Sequence, residues 1–182
     1  MQHIQSFAPI ENAHATILIL GSMPGVASLR AGQYYAHPRN LFWRIMGELL
    51  KFDPASPYAR RIQALESAGI ALWDVLHSCR RKGSLDSDID DATLIPNDFA
   101  AFFLRHPHIT RVFFNGTKAE TCYRKQVLPT LGTGYIEYLR LPSTSPANAS
   151  IPYERKLERW RVIARAPDCW PAHGRAAPPD IG

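Results

Sequence analysis

The segment ATILILGSMPGVAS, residues Ala15–Ser28, carries the clearest indication of the fold in this 182-residue chain. Its first part, Ala15–Leu20, is an apolar run with the length and side-chain branching of a buried β-strand. Its second part, Gly21–Ser28, holds two glycines and a proline, which favour a tight turn whose backbone N–H groups can face a ligand. A plain strand-to-helix turn has the same composition. No Gly-Lys-Ser/Thr follows, so the turn is not a P-loop.

Three more apolar runs alternate with helical patterns along the chain. The further predicted strands are Ile70–Leu76, Arg111–Asn115 and Ile136–Leu141. The predicted helices are Arg39–Lys51, Tyr58–Ser67, Asp98–Arg105, Thr117–Val127 and Glu154–Arg165. Strands that alternate with helices pair in parallel and carry helices on both faces of their sheet. We therefore predict an α/β fold, a three-layer sandwich with a central, mainly parallel four-stranded sheet.

The first and last helices show clear apolar stripes. Pro38 is expected to open the first helix, with Asn40 in its first turn. The stripe of the first helix consists of Leu41, Phe42, Ile45 and Leu49. The stripe of the last consists of Leu157, Trp160 and Ala164. Both stripes predict that these helices pack on the sheet.

The composition fits one globular domain. The chain is 46% hydrophobic and 20% charged, and no apolar run approaches the roughly 18 residues of a membrane span. We place a single domain at residues 1–165 and a Pro/Ala-rich C-terminal tail at residues 166–182. The N-terminus lacks the basic start and apolar stretch of a secretory signal. We expect a cytoplasmic monomer that does not interact with membranes.

Cysteine spacing and acidic clusters give no support for a metal site. The three cysteines, Cys79, Cys122 and Cys169, lie far apart, which argues against a disulfide framework. No Cys-x-x-Cys pair is present, so zinc and iron–sulfur sites lack their usual signature. The acidic run at residues 86–91 departs from a calcium loop at two required positions, and we interpret it as a solvated loop. We predict neither metal nor cofactor.

Positive charge is concentrated in the last third of the domain. Residues 1–104 carry 9 Lys/Arg and 10 Asp/Glu, whereas residues 105–165 carry 11 Lys/Arg and 4 Asp/Glu. Such a surplus is expected if one face of the protein meets phosphates. Ordinary solubility charge would give the same counts, so the surplus alone does not establish nucleic-acid binding.

The segments that follow the predicted strands carry the unusual chemistry. They are Gly21–Ser28, Asp74–Ser84, Asn115–Lys118 and Pro142–Asn148. Ligands of open α/β sheets bind at the carboxyl ends of the strands, so these segments should converge on one crevice. The last segment, within LPSTSPAN, has small hydroxyl residues between prolines and can approach a phosphate backbone closely. A fifth motif, YYAHPRNLFW at Tyr34–Trp43, places two tyrosines before a turn.

Together these motifs resemble the uracil-DNA glycosylase superfamily over roughly residues 15–165. Members of that family carry a GxxPG motif after the first strand and an HPS or NPS motif after the last. Here GSMPG (Gly21–Gly25) and PSTS (Pro142–Ser145) hold those places. The stretch AHPRNLFW is similar to the matching part of mismatch-specific uracil-DNA glycosylases. The full combination, with LWDVL and GSLDS, looks most like the DNA-deoxyinosine (hypoxanthine-DNA) glycosylase branch and implies a uracil-DNA glycosylase-like fold.

The resemblance implies roles for individual residues. Tyr35 matches the aromatic that stacks on the flipped base, and Asp74 occupies the slot in which uracil enzymes use Asn to read the base edge. The resemblance to the hypoxanthine branch implies that Asn40 is the catalytic residue. The implied base-binding residues are Gly21, Ser22, Met23, Tyr35 and Asp74. The implied DNA-binding residues are His37, Arg39, Ser143, Thr144 and Ser145.

Two positions depart from the family pattern. Met23 stands where uracil enzymes carry an Asp or Asn that positions the attacking water, and a thioether can neither orient nor deprotonate water. Ser143 stands in the slot for His or Asn. The resemblance to the hypoxanthine branch therefore implies that Asn40 takes over this work.

We predict a monofunctional DNA glycosylase that hydrolyses the N-glycosidic bond of deaminated bases, hypoxanthine above all, in base excision repair. Its partner is DNA that contains deaminated bases. The alternatives are a uracil/mismatch-directed glycosylase, an inactive DNA-binding member of the fold, which Met23 favours, and an α/β enzyme that binds free nucleotides. Lys82 and Lys118 are the only lysines near the predicted loops, and neither lies in a matched motif, which argues against lyase chemistry.

Hydrogen bonding gives a reason to prefer hypoxanthine. An ionised Asp74 can accept from the N1–H group of hypoxanthine, and adenine lacks that donor. The backbone N–H groups of GSMPG could stabilise the negative charge of the departing purine. Asp74 could equally serve as a helix cap or in a salt bridge.

Overall fold

The computed structural model of the chain describes residues 2–83, 85–132 and 134–164. The predicted tail at residues 166–182 and Cys169 lie outside the described residues. Among the described residues, no helix combines the length and the apolar character needed to cross a membrane.

Parallel strands form the central sheet, in the order β3-β2-β6-β7. They are β2 (Ile17–Gly21), β3 (Ile70–Asp74), β6 (Arg111–Asn115) and β7 (Glu137–Leu141). A second, three-stranded antiparallel sheet comprises β1 (Gln2–Gln5), β4 (Leu76–Arg81) and β5 (Ile95–Pro96). The parallel four-stranded sheet confirms the predicted fold class.

Helices cover both faces of the parallel sheet. Those within the described ranges are α1 (Val26–Ala31), α2 (Phe42–Leu50), α3 (Tyr58–Ser67), α4 (Phe99–Arg105), α5 (Thr117–Gln126) and α6 (Tyr153–Trp160). Short 3-10 turns follow or connect them at Asp86–Asp88, Asp91–Thr93, Leu128–Thr130, Pro146–Asn148 and Arg161–Ala164. Side chains of α2, α3 and α6 pack on one face of the sheet, and those of α4 and α5 pack on the other, which gives three layers.

The layers follow from the alternation of side chains along β2. Leu18 and Leu20 enter the core on the side of α4 and α5, whereas Ile17 and Ile19 enter the core on the side of α2, α3 and α6. Successive side chains of a strand point to opposite faces of its sheet. A central strand covered on both faces is therefore apolar at every position, which explains the uninterrupted run that begins the fold.

The small antiparallel sheet and two helix ends differ from the predictions. The predicted strand Ile70–Leu76 divides at Val75, whose N–H group donates to Gly21 O, and the chain then enters β4. The helix predicted at Arg39–Lys51 begins only at Phe42, because the residues after Pro38 form a turn. The last helix tightens into a 3-10 turn at Arg161, which leaves Ala164 exposed and not in the apolar stripe.

Candidate active site

A cavity of about 730 Å³ opens at the carboxyl end of the parallel sheet. Residues that follow β2, β3, β6 and β7 line it, as the strand topology predicts. Ten residues with predicted roles line it: Gly21, Ser22, Met23, Tyr35, His37, Asn40, Asp74, Ser143, Thr144 and Ser145. Arg39 is exposed and lies outside the cavity. Of the described residues in the Asp74–Ser84 segment, only Asp74 lines the cavity, because β4 leads away from it.

Asp74, the last residue of β3, forms the floor of the cavity. It is 3% exposed, and its Oδ2 atom has no hydrogen-bond partner among the described residues. Burial, reinforced by the nearby Asp86 carboxylate, raises the pKa of Asp74 to about 8, although Arg81 opposes the shift. At pH 7 the group is therefore mainly a neutral carboxyl with one donor and one acceptor. The ionised form, on which the sequence-based argument for preferring hypoxanthine depended, is the minor form.

Tyr35 stands beside Asp74. A Cβ atom added to Gly21 would lie 2.9 Å from Tyr35 Oη and would overlap Asp74 Oδ1, so both side chains meet over that glycine. The Tyr35 ring stacks on Phe42 with 4.2 Å between ring centroids. The residue has φ +54°, a left-handed conformation that non-glycine residues rarely adopt. Burial and the proximity of Asp74 raise the pKa of the Tyr35 hydroxyl, so it stays protonated.

The turn before α2 places Asn40 at the cavity wall. Its N–H group donates to His37 O at 2.8 Å, and its Oδ1 atom accepts from the N–H group of Phe42 at 3.0 Å. Asn40 therefore lies two residues before the helix, rather than in its first turn, and caps the helix with its side chain. Capping occupies one lone pair of Oδ1 and leaves the amide group for another partner.

The Pro142–Asn148 loop is fixed from two sides. Thr144 is fully buried, its hydroxyl accepts from Asn115 Nδ2, and its N–H group donates to Asn115 Oδ1, each at 2.9 Å. From the other side, Lys156 Nζ donates to Asn148 O at 2.7 Å and Trp160 Nε1 donates to Pro142 O at 2.9 Å. The side chain of Thr144 thus supports the loop from within, whereas Ser143 and Ser145 remain partly exposed.

The GSMPG turn rests on a buried arginine. Arg81 is 1% exposed, and its Nη2 atom donates to Pro24 O at 2.6 Å. Ser22 Oγ donates to Asp86 Oδ1 at 2.5 Å and so ties the turn to the acidic run. Met23 packs in the hydrophobic core while it lines the cavity. The turn is therefore held by hydrogen bonds to two charged residues, Arg81 and Asp86, that lie outside the motif.

Asn115, Gly116 and Asp86 are among the cavity residues that had no assigned role from the sequence. Asn115 ends β6, and Gly116, with φ +100°, allows Ser143 to approach closely. Asp86 also lines the cavity, although its acidic run was interpreted as a solvated loop. The signal for Asn115 was present, because it is a polar residue at the end of a fully buried strand, as Asp74 is.

A family model described as the uracil DNA glycosylase superfamily matches residues 8–164. The chain belongs to this superfamily. Two curated relatives are named hypoxanthine DNA glycosylase. The relative from Methanosarcina barkeri (strain Fusaro / DSM 804) is 40% identical over 116 residues, which cover 63% of this chain and 72% of the relative. The relative from Methanosarcina acetivorans is 36% identical over 163 residues, which cover 88% of this chain and 98% of the relative.

A solved structure supports the superfamily assignment. It is the solution NMR structure of a candidate uracil DNA glycosylase from Methanosarcina acetivorans. The two chains are 34% identical and superpose with a TM-score of 0.75, over 90% of this chain and 98% of the other. The superfamily assignment and the three-layer fold therefore agree with the motif pattern.

Proposed function

We propose that the chain is a monofunctional DNA glycosylase that hydrolyses the N-glycosidic bond of deoxyinosine and releases hypoxanthine. The observation that carries this proposal is the neutral carboxyl of Asp74 on the cavity floor, whose Oδ2 atom has no partner within the described ranges. A buried polar group without a partner costs free energy, so such a group in a cavity favours a ligand that pairs with it. The two relatives named hypoxanthine DNA glycosylase support the choice of base.

Asp74 fits the edge of hypoxanthine in its neutral form. Its carboxyl oxygen accepts from N1–H and its O–H group donates to O6, which satisfies both atoms of the base edge. The O–H group also stabilises negative charge that develops on the purine as the bond breaks, whereas a carboxylate would repel that charge. The raised pKa is therefore useful to the reaction.

A neutral Asp74 alone does not reject adenine. The same carboxyl can donate to adenine N1 and accept from its N6 amino group. Selection then begins before the base reaches the cavity, because extrusion costs least for a mispaired base, and hypoxanthine pairs poorly with thymine. The Tyr35 ring would recover part of the extrusion cost by stacking, which is worth about 1–3 kcal/mol per base.

Bond cleavage leaves positive charge on the sugar, which a water molecule must attack. We assign the placement of this water to the Asn40 amide, since Met23 offers no polar atom for it and Thr144 is committed to Asn115. The GSMPG amides are the candidate donors to the departing base. His37, Ser143 and Ser145 are the candidate contacts to the DNA backbone at the cavity mouth.

The one lysine among the described residues that lines the cavity, Lys118, supports hydrolysis rather than lyase chemistry. Lys118 Nζ forms a 2.5 Å ion pair with Asp91 Oδ1. Burial is the largest single effect and disfavours the charged amine, but the hydrogen bond to Asp91, together with the charges of Cys122, Asp91 and Asp86, raises the pKa of Lys118. A protonated amine is not a nucleophile. Action as a cytoplasmic monomer without a metal or cofactor stays a prediction.

A lesion panel tests the proposed function. Duplexes that carry deoxyinosine, deoxyuridine or deoxyxanthosine are incubated with the protein and treated with alkali, which cuts the strand at abasic sites. We expect deoxyinosine opposite thymine to yield abasic sites and deoxyuridine to yield far fewer. Equal or greater release of uracil would identify the uracil-directed alternative, and binding without base release would identify the inactive one.

A further inference from the structure

A second cavity, of about 520 Å³, adjoins the first. The two cavities share Gly116, Thr117, Ser143 and Asn148, so one opens directly beside the other. Arginines line the second cavity: Arg140, Arg155 and Arg159. We call this second cavity the arginine groove. None of its arginines was singled out by the sequence motifs.

Two of these arginines are available for a ligand. Arg155 and Arg159 lie four residues apart on one face of α6, with about 6 Å between them along the helix axis. Both are exposed, and neither forms an ion pair or hydrogen bond within the described part of the chain. Arg140 is already paired with Glu120 at 3.1 Å. Glu158 is the one acidic residue among the described residues that line the groove, and Arg155 and Arg159 together outweigh its charge, so the groove keeps a net positive charge.

A part of the active-site cavity that the arginine groove does not share has different chemistry. There the rim carries Leu85, Asp86 and Ser87, which present an exposed apolar side chain and a carboxylate. A carboxylate repels phosphate, whereas the arginine fork suits it. Lys118 lines the cavity but is paired with Asp91, so the arginine groove is the side that offers unpaired positive charge to a DNA strand, whereas the described rim at residues 85–87 offers none.

We propose that the arginine groove binds the phosphate backbone of the strand that carries the flipped nucleotide, on one side of that nucleotide only. This inference rests on the proposed function, because it requires DNA in the first cavity. We assign the groove to the lesion strand rather than to its complement because the two cavities are continuous. The phosphates next to the flipped nucleotide are covalently tethered to it and so lie close to the first cavity. Phosphate contacts of this kind set the register of a protein on DNA without reading its sequence.

The test combines an arginine variant with neutral phosphates. Arg155→Gln/Arg159→Gln is compared with Lys51→Gln/Arg60→Gln, which removes the same charge from exposed positions that line neither cavity. Deoxyinosine duplexes carry a single methylphosphonate at successive positions on either side of the lesion. Fluorescence anisotropy gives the affinity of each protein for each duplex at several salt concentrations.

We expect the groove variant to bind all-phosphate DNA about tenfold or more weakly, since each bond between charged groups contributes on that scale. Its salt slope should fall by about 0.9 for each phosphate that the variant no longer neutralises. The wild type should bind more weakly at one or two methylphosphonate positions on one side, and the groove variant should show no further weakening there. The control variant should show the same weakening as the wild type.

If affinity changed with methylphosphonate position in the same way for the wild type and the groove variant, the proposed role of the arginine groove would be overturned. A decrease in affinity in the control variant as large as that in the groove variant would also overturn it.

These binding measurements need no base release, so a failure of the groove can be distinguished from a failure of the proposed function. A wild type that binds through the groove but releases no hypoxanthine contradicts only the proposed function. A wild type that releases hypoxanthine with equal profiles contradicts only the groove. Thermal melts verify that both variants fold.

Discussion

The carboxyl group of Asp74 lies directly against the Cα atom of Gly21. The two residues are register partners at the ends of the adjacent parallel strands β3 and β2. A Cβ atom at position 21 would overlap Asp74 Oδ1 and lie 2.9 Å from Tyr35 Oη. The absence of a side chain at Gly21 therefore makes room for both groups on the cavity floor.

Gly21→Ala should abolish base release while the protein still folds. The added methyl group must displace Asp74 or Tyr35, and a displaced catalytic or binding group often costs about 100-fold or more in rate. Gly132→Ala is the matched control, because no atom lies within 4 Å of a Cβ added there and Gly132 does not line the cavity. Single-turnover release of hypoxanthine measures both. Full activity in Gly21→Ala would mean that Asp74 and Tyr35 do not act at this position.

Base release should decline above a pH of about 8, the pKa of Asp74. Ionisation removes the O–H donor and places a negative charge beside the departing purine, so the rate should fall about tenfold per pH unit. Asp74→Asn keeps one donor and one acceptor but does not titrate. Its pH–rate profile should stay flat through this range. A wild-type rate that is constant from about pH 7 to about pH 9.5, a range that spans this pKa, would remove Asp74 from the reaction.

Asp74 should also make the folded protein less stable as the pH rises. Its pKa is about 8 in the folded chain, against a usual value of 3.8. Between these values the folded state holds a proton that the unfolded state has lost, so its stability falls by at most about 1.4 kcal/mol per pH unit. Urea unfolding of wild type and Asp74→Asn at several pH values measures the difference. A difference that does not change between about pH 5 and about pH 8 would contradict the raised pKa.

Capping and catalysis by Asn40 can be separated with two substitutions. Asn40→Ser keeps a short side-chain acceptor for the N–H group of Phe42 but withdraws the amide from the cavity. We expect both Asn40→Ser and Asn40→Ala to lose about 100-fold in base release. Only Asn40→Ala should lose about 0.5–2 kcal/mol of stability. Normal base release by Asn40→Ser would show that Asn40 is a helix cap alone.

Tyr35 should contribute more to base release than to the stability of the hydrophobic core. The residue is partly exposed, although its ring stacks on Phe42. Tyr35→Ala should therefore reduce base release and cost less stability than the roughly 3–5 kcal/mol of a fully buried aromatic residue. Tyr35→Phe, which keeps the ring, should retain most of the activity. A stability decrease in the full range, with normal base release in the folded fraction, would place Tyr35 in the core.

Helices and strands whose ends are marked by neighbouring residues in the sequence were predictable. Strand Arg111–Asn115 and helix Tyr58–Ser67 match residue for residue. A glycine with positive φ marks each boundary in the sequence: Gly116 directly follows the strand, and Gly69 lies two residues after the helix. Strand Gln2–Gln5 was not predictable, because only one of its residues is buried and its pairing with β4 is non-local.

The candidate site likewise has features that the sequence predicted and features that it did not. Motif order placed ten residues at one cavity, since carboxyl ends of parallel strands always converge. Arg81 could not be found this way. Within a run of charged residues it has the pattern of a solvated side chain, yet the structure buries it under Pro24. The ionisation state of Asp74 was also hidden, because burial and the neighbouring Asp86 carboxylate determine it only after folding.

The strand order β3-β2-β6-β7 has a consequence for the enzyme during its synthesis. The cavity walls run from Gly21 to Asn148, and each pair of neighbouring strands is parallel, so a long crossover must form before they meet. Such non-local pairings form late and slowly. A nascent chain on the ribosome cannot assemble the cavity until β7 and the loop after it have emerged. The protein therefore gains the capacity to break a glycosidic bond only once its last strand has docked, and an incomplete chain leaves DNA intact.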